Sequence, residues 1–361
     1  MQSGGFIFKA GRGKTINMRI CQVISSNLPI LPTGVRGWGA TELITDEYVK
    51  NLRKLGHEVD LKYLNDVRPE DYDIIHIHVA NLCIEAASRG IPYVYSTHDH
   101  HSYHYGKGSW NYREQLQAIK GSIFSLAPAE YVVDFFDDTD KLFYLSHGAD
   151  TSYYTPADID FVQNFKLLMC ANNGVAGDYG ADRKGFRVGI EAAKELNLPI
   201  TIVGADANRK FFEIHKDLLE YDKLTVIDNN PPEDTKLQIF KDHHIFLHPS
   251  NLEYGHPNLT ICEAASCCLP IVGTYRGSKT IHGLQLIIDI NKESVVTGIR
   301  DTIRDYFQIR ESMILARERY DWINVLKELE KMYEAVLSTH DFDSETIKNM
   351  YFNTYQNTIR K

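Results

Sequence analysis

Short apolar runs of strand character alternate with amphipathic helical stretches in this chain, and the alternation occurs twice. MRICQVIS, Met18 to Ser25, is brief, rich in β-branched residues and followed by turn formers, the marks of a buried strand. From Thr41 to Leu55, Ile44, Tyr48, Leu52 and Leu55 recur at helical spacing. Glu42, Asp46, Lys50 and Arg53 face elsewhere, and Gly56 stands at the stop position. Val59, Leu61 and Tyr63 then alternate with polar residues, and DIIHIHV (Asp73 to Val79) and PYVYST (Pro92 to Thr97) follow with a helical stretch between them. A second set of strands is expected at Lys166 to Ala171, Pro199 to Gly204, Leu224 to Asp228 and His244 to His248. This order predicts an α/β chain whose parallel sheets are covered by helices, and such sheets bind ligands beyond the carboxyl ends of their strands.

A chain of 361 residues is long enough for two domains of ordinary size, each with its own core. The expected partition is an extension at 1–17, a first domain at 18–158, a second at 159–325, and a terminal helix and tail at 326–361. The helix is read from YDWINVLKELEKMYEAVL, Tyr320 to Leu337. The net charge of −9 argues against a general field for nucleic acid or an anionic bilayer. Six cysteines, at 21, 83, 170, 262, 267 and 268, lack the paired spacing of a zinc site and read as reduced thiols. No run approaches the roughly 20 apolar residues of a bilayer span, so no stable membrane insertion and a cytoplasmic protein are expected. GRGKT, Gly11 to Thr15, falls short of a P-loop because Phe8 occupies the place of the first glycine.

The most specific segment is HPSNLEYGHPNLTICEAASCCLPIVGT, His248 to Thr274, where a strand end runs through a Gly/Pro/Asn loop into a helix. Backbone N–H groups at such a helix start suit an anion. The segment resembles the donor-binding signature of GT-B glycosyltransferases, above all the retaining family-four enzymes, whose loop has the form PSxxEGxPN. The resemblance extends over nearly the whole chain. It implies two Rossmann-like domains facing across a cleft, the first holding the acceptor and the second the donor, with the C-terminal helix crossing back to the first domain. By this similarity Glu253 would bind hydroxyls of the transferred sugar and Glu263 the ribose. Gly255, His256, Pro257, Asn258, Leu259 and Thr260 would line the donor. Nine residues separate the two glutamates here, where the family usually has seven.

ANNGVAGDYGADRKGF, Ala171 to Phe186, resembles the family's phosphate-contacting loop. It makes Lys184 a catalytic candidate, with Asn173, Gly174 and Arg183 beside the donor. Tyr179 stands where the family's arginine usually lies. PTGVRGWGATE, Pro32 to Glu42, is similar to the family's Gly-Gly-Thr-Glu loop and offers Gly37 and Gly39 to the donor phosphates. STHDHHSYHYG, Ser96 to Gly106, follows a strand; its four clustered histidines reproduce no known metal frame, and no metal is expected. The resemblance assigns His98 to the transferred sugar and Asp99 to orienting it or the acceptor. Tyr103, Tyr105 and Trp110 either stack on an acceptor sugar or pack their loop. His76 and His78, within a strand pattern, read as core or cleft-floor residues. Lys184, His98 and Glu253 are the catalytic candidates.

The activity implied is transfer of a hexose from a nucleotide diphosphate sugar, UDP-glucose by default, to an acceptor hydroxyl with retention of configuration. No cofactor is implied beyond this co-substrate, and the acceptor is a glycan, a protein or a small molecule. A sugar-nucleotide epimerase and a non-catalytic sugar-nucleotide or glycan binding protein are the alternatives. A dinucleotide enzyme is disfavoured because neither first-strand loop carries G-x-G-x-x-G with a later acidic residue.

Overall fold

The computed structural model describes residues 17–25, 40–98, 101–136, 139–159, 161–171, 182–205, 210–227, 231–251, 258–274, 284–287 and 289–338. The first six strands are β1 (Arg19–Ile24), β2 (Glu58–Tyr63), β3 (Ile74–Ile77), β4 (Val94–Ser96), β5 (Ser125–Ala127) and β6 (Leu142–Tyr144). Between them run α1 (Ala40–Lys54), α2 (Ala80–Ser88), α3 (His101–Tyr105), α4 (Trp110–Gly121) and α5 (Glu130–Phe135). The next six strands are β7 (Leu167–Cys170), β8 (Ile200–Val203), β9 (Leu224–Ile227), β10 (Ile245–His248), β11 (Ile271–Thr274) and β12 (Leu284–Ile287). Their helices are α6 (Phe186–Leu196), α7 (Phe211–Ile214), α8 (Glu233–Asp242), α9 (Leu259–Ser266), α10 (Lys292–Arg304), α11 (Tyr306–Ala316) and α12 (Trp322–Ser338).

These strands form two six-stranded sheets, ordered β2-β1-β3-β4-β5-β6 and β12-β11-β10-β7-β8-β9, and every pairing is parallel. Strands such as IIHI, LLMC, ITIV and IFLH are buried along their whole length, as a sheet covered on both faces demands. Each sheet reverses its strand order once, the first between β1 and β3 and the second between β7 and β10. A crevice opens beyond the carboxyl ends of the strands at such a point, because the flanking connections leave in opposite directions.

The chain's last described helix belongs to the first sheet. Trp322, Val325, Leu326, Leu329, Met332 and Tyr333 of α12 join Ile20, Ile44, Tyr48, Leu52 and Ile74 in one core. His57 Nε2 meets Glu330 Oε1 at 3.0 Å, and Ala149 and Trp322 bond across the crossing point. The C-terminal helix therefore crosses back to the first Rossmann-like unit. Its tryptophan face is the apolar stripe legible at Trp322, Val325, Leu326 and Leu329.

All six cysteines are buried free thiols. Among the described residues no helix is long and apolar enough to cross a membrane.

Candidate functional site

Two loops meet at the order reversal of the second sheet, and specific contacts hold them together. Asp182 caps α6 by accepting from the Phe186 and Arg187 N–H groups at 2.8 and 2.7 Å. The Arg183 carbonyl accepts from Asn251 N at 3.0 Å and from Ser250 Oγ at 3.1 Å. Gly185 adopts a φ of 73°, and a Cβ there would run into the Pro249 carbonyl. Only glycine permits that approach in that conformation. Lys184 is thereby fixed beside the carboxyl end of β10 and is 7% exposed, so most of its stem is packed away.

The helix following β10 starts from a matching device. Asn258 Oδ1 accepts from Ile261 N at 3.0 Å, capping α9, and Asn258 Nδ2 reaches His248 Nε2 at 3.2 Å. Thr260 Oγ1 donates to Asn258 Oδ1 at 2.9 Å. Leu259 packs against the core of the first sheet, so the start of α9 lies at the junction of the two sheets.

Glu263, one turn into α9, is 8% exposed. Lys236 of α8 donates to its Oε1 at 2.9 Å. Oε2 is buried, and among the described residues it has no donor within hydrogen-bond distance. The Tyr154 hydroxyl stands nearby but gives its one proton to Glu233 Oε2 at 2.5 Å. Burial raises the Glu263 carboxyl above the ordinary carboxylate value against the pull of Lys236. Burial alone would lower Lys236, but the Glu263 and Glu233 carboxylates outweigh it and keep the ammonium charged. The Cys170 thiol, at the carboxyl end of β7, is pushed up to about 12 by burial, with Glu263 raising it further and Lys184 opposing. Glu263 and Lys184 thus both act on one strand end, at the reversal of the sheet.

The first sheet presents histidines at its own reversal. His78 follows β3, His98 lies two residues beyond β4, and His147 three beyond β6. The rings of His76 and His78 stack at 4.5 Å, those of His78 and His98 at 5.1 Å, and His147 follows at 5.6 Å. The Cys262 thiol of α9 approaches the His147 carbonyl at 3.5 Å, which brings this row to the second sheet. Burial, and secondarily the neighbouring rings, hold His76, His78 and His98 well below the ordinary histidine value, so all three are neutral near pH 7.

Around the expected acceptor loop, Tyr103 packs edge-on against Tyr131 and Phe135 at 4.9 and 5.3 Å. Tyr105 and Trp110 are 41% and 66% exposed. Gly37, Gly39, Asp99, Asn173, Gly174, Glu253, Gly255, His256 and Pro257 lie outside the described residues. Two residues that the sequence reading passed over belong to the site's surroundings. Lys236 is spaced three residues from Glu233 like an ordinary surface pair, and Gln22 looks like an isolated polar residue inside a strand.

No family model matches this sequence, and no curated protein is similar to it. Solved structures do match. The sucrose-phosphate synthase of Thermosynechococcus elongatus superposes with a TM-score of 0.69 at 13% identity, over 89% of this chain and all of that one. Alr3699/HepE of Anabaena in complex with UDP-glucose gives 0.64 at 14% identity, over 89% of this chain and 100% of that one. A putative UDP-N-acetylglucosamine 2-epimerase of Listeria monocytogenes gives 0.56 at 12% identity, over 91% and 98%. Two doubly wound parallel sheets, a helix returning from the second to the first, and these end-to-end superpositions give the chain the GT-B fold.

Proposed function

We propose that the protein is a retaining glycosyltransferase of the family-four type, moving a hexose from a nucleotide diphosphate sugar to an acceptor hydroxyl in the cytoplasm without a metal. The observation that carries this reading is the buried Glu263 carboxylate, with one oxygen held by Lys236 and the other without a donor among the described residues. A charged acceptor with a spare, desolvated oxygen suits a ribose hydroxyl pair. The neighbouring Lys184, and Arg183 beside it, suit the diphosphate. UDP is the favoured base carrier because Alr3699/HepE, of like fold, was crystallised with UDP-glucose.

In this mechanism the bond between the anomeric carbon and the diphosphate oxygen breaks as the acceptor oxygen attacks from the same face. The acceptor's proton passes to the departing diphosphate. Lys184 and the N–H groups at the start of α9 stabilise the charge growing there, and His98 and Glu253 hold the sugar's hydroxyls. Gly37 and Gly39 would face the donor phosphates, and Tyr103, Tyr105 and Trp110 an acceptor of glycan, protein or small-molecule type.

Thermal unfolding with a panel of UDP, GDP and ADP and their sugars tests the reading. A ligand at about a hundred times its Kd stabilises the fold by about 2.7 kcal/mol. One base alone should do so. Absence of any shift on folded protein would overturn the donor site. Epimerisation is the second reading, supported by the Listeria structure. A free, altered sugar nucleotide in place of a glycosylated acceptor would decide for it.

A further inference from the structure

We infer that Gln22 and His78 are positioning residues that hold His98 in its Nε2–H tautomer, leaving Nδ1 as a hydrogen-bond acceptor where the two sheets meet. The inference rests on the reading of His98 as a sugar-binding residue. It goes beyond that reading by assigning the state in which the ring works and the residues that impose it.

The argument is one of proton counting along a chain of contacts. Gln22 Oε1, in the middle of β1, lies 2.6 Å from His78 Nε2, and a carbonyl oxygen only accepts, so His78 carries its proton on Nε2. A neutral imidazole has one N–H, so His78 Nδ1 is a lone pair. His98 Nε2 lies 2.8 Å from it and must donate. That leaves His98 Nδ1 proton-free. His147 Nε2 approaches it at 3.4 Å, a long contact that a ligand hydroxyl can displace. The counting holds because burial keeps both rings neutral.

The end of the chain is anchored away from the cleft. The Tyr333 hydroxyl contacts His76 Nδ1 at 2.6 Å, and burial raises this phenol well above its ordinary value while the Gln22 amide opposes. Gln22 Nε2 is buried with no hydrogen-bond partner among the described residues, so the one side-chain bond recorded for this amide is that of its carbonyl oxygen to His78. Tyr48 stands edge-on to His78 at 5.5 Å and tilted to His76 at 5.8 Å, closing the row from α1. Among the described residues, the contacts recorded for His78 and His98 are with Gln22, with each other, and with His76, His147 and Tyr48, so the Gln22 amide sets the polarity of the His78–His98 bond. Turning that amide over would reverse every bond and make His98 a donor at Nδ1.

Nitrogen-detected NMR of the full chain labelled at histidine reads the tautomers directly, with H98N and H78N used to assign the signals. At about pH 8, where both rings are neutral, His78 and His98 should each show a protonated Nε2 and a bare Nδ1. Q22M, which keeps the shape and removes the carbonyl, should mix the tautomers at both rings. It should lower kcat for transfer about tenfold, the worth of one well-made hydrogen bond, with the donor KM little changed. Q22E, an acceptor at the same place, should restore the Nε2–H tautomer and most of kcat. A wild-type His98 protonated at Nδ1, or tautomers that Q22M leaves unmixed, would overturn the inference. Tautomers as stated in a protein that transfers no sugar would instead overturn the transferase reading and leave the row intact.

Discussion

Lys236→Met removes the counter-ion of a carboxylate that the fold has already taken out of water. Lys236 Nζ and Glu263 Oε1 are 2.9 Å apart, with side chains 16% and 11% exposed. At that separation the attraction is about 6 kcal/mol for an effective dielectric of about 20. Part of it offsets the desolvation of both groups, so breaking such a pair costs about 3–5 kcal/mol. The second contact of Lys236, to Glu233 at 3.1 Å, involves a carboxylate 63% exposed and adds little. Glu263 then escapes its isolation by taking up a proton. Its carboxyl is raised already and rises further without the ammonium, so the variant is least penalised below the unfolded carboxyl value of about 4.3 and loses stability as pH rises through the folded one. Urea unfolding should therefore show a loss of about 3–5 kcal/mol near pH 8 that shrinks towards pH 5. Adding E263Q to the variant should recover much of it. A loss below about 1 kcal/mol, or one equal at both pH values, would refute the claim that this pair is buried and charged.

Acid should weaken the fold through its buried and half-buried histidines. His76, His78 and His98 are depressed far below the unfolded value, and burial holds His215 and His244 down to about 4. Their contribution is complete above the unfolded value of about 6.5 and is lost as pH falls towards the folded values, by about 1.4 kcal/mol per pH unit for each ring. Unfolding followed between about pH 7.5 and pH 5.5 should give a slope of several protons, and a slope below one would contradict the burial of the row. Gly185→Ala combines a left-handed backbone with a Cβ forced onto the Pro249 carbonyl, and should cost about 3 kcal/mol or more in urea unfolding. A loss under about 1 kcal/mol would mean that the loops after β7 and β10 are not in contact as described.

Much of the architecture is legible because strands buried on both faces are continuous apolar runs. β7, β8, β9 and β10 fall inside the segments read from the sequence, and α12 starts two residues into its expected span. β5 and β6, of three residues each, escape because no periodicity is defined over so short a length. Within the site, Lys184 and Glu263 stand out through the motifs around them. Lys236 does not, because its spacing to Glu233 is that of a solvated helix pair, and the fold alone brings it against Glu263 of α9 and the Tyr154 ring. Gln22 escapes, and His78 is read only as a core or cleft-floor residue, for a different reason. Their partners lie 20 and 56 residues away, and only the pairing of β1 with β3, and of β3 with β4, brings them into one row.

The return of α12 also sets an order of events during synthesis. The core on one face of the first sheet is completed by Trp322, Leu326, Leu329 and Tyr333, which leave the ribosome long after β1 and α1. Until then Ile20, Ile44, Leu52 and Ile74 lack the part of their cover that α12 supplies, and the nascent first unit carries that apolar face into the crowded space around the exit tunnel. The second sheet, whose cores draw on no residue before Ala149, is able to close as soon as its own strands emerge. The half of the molecule made first is thus the half finished last. Closure of such a distant contact is slow, so demand for chaperones should fall on the N-terminal unit.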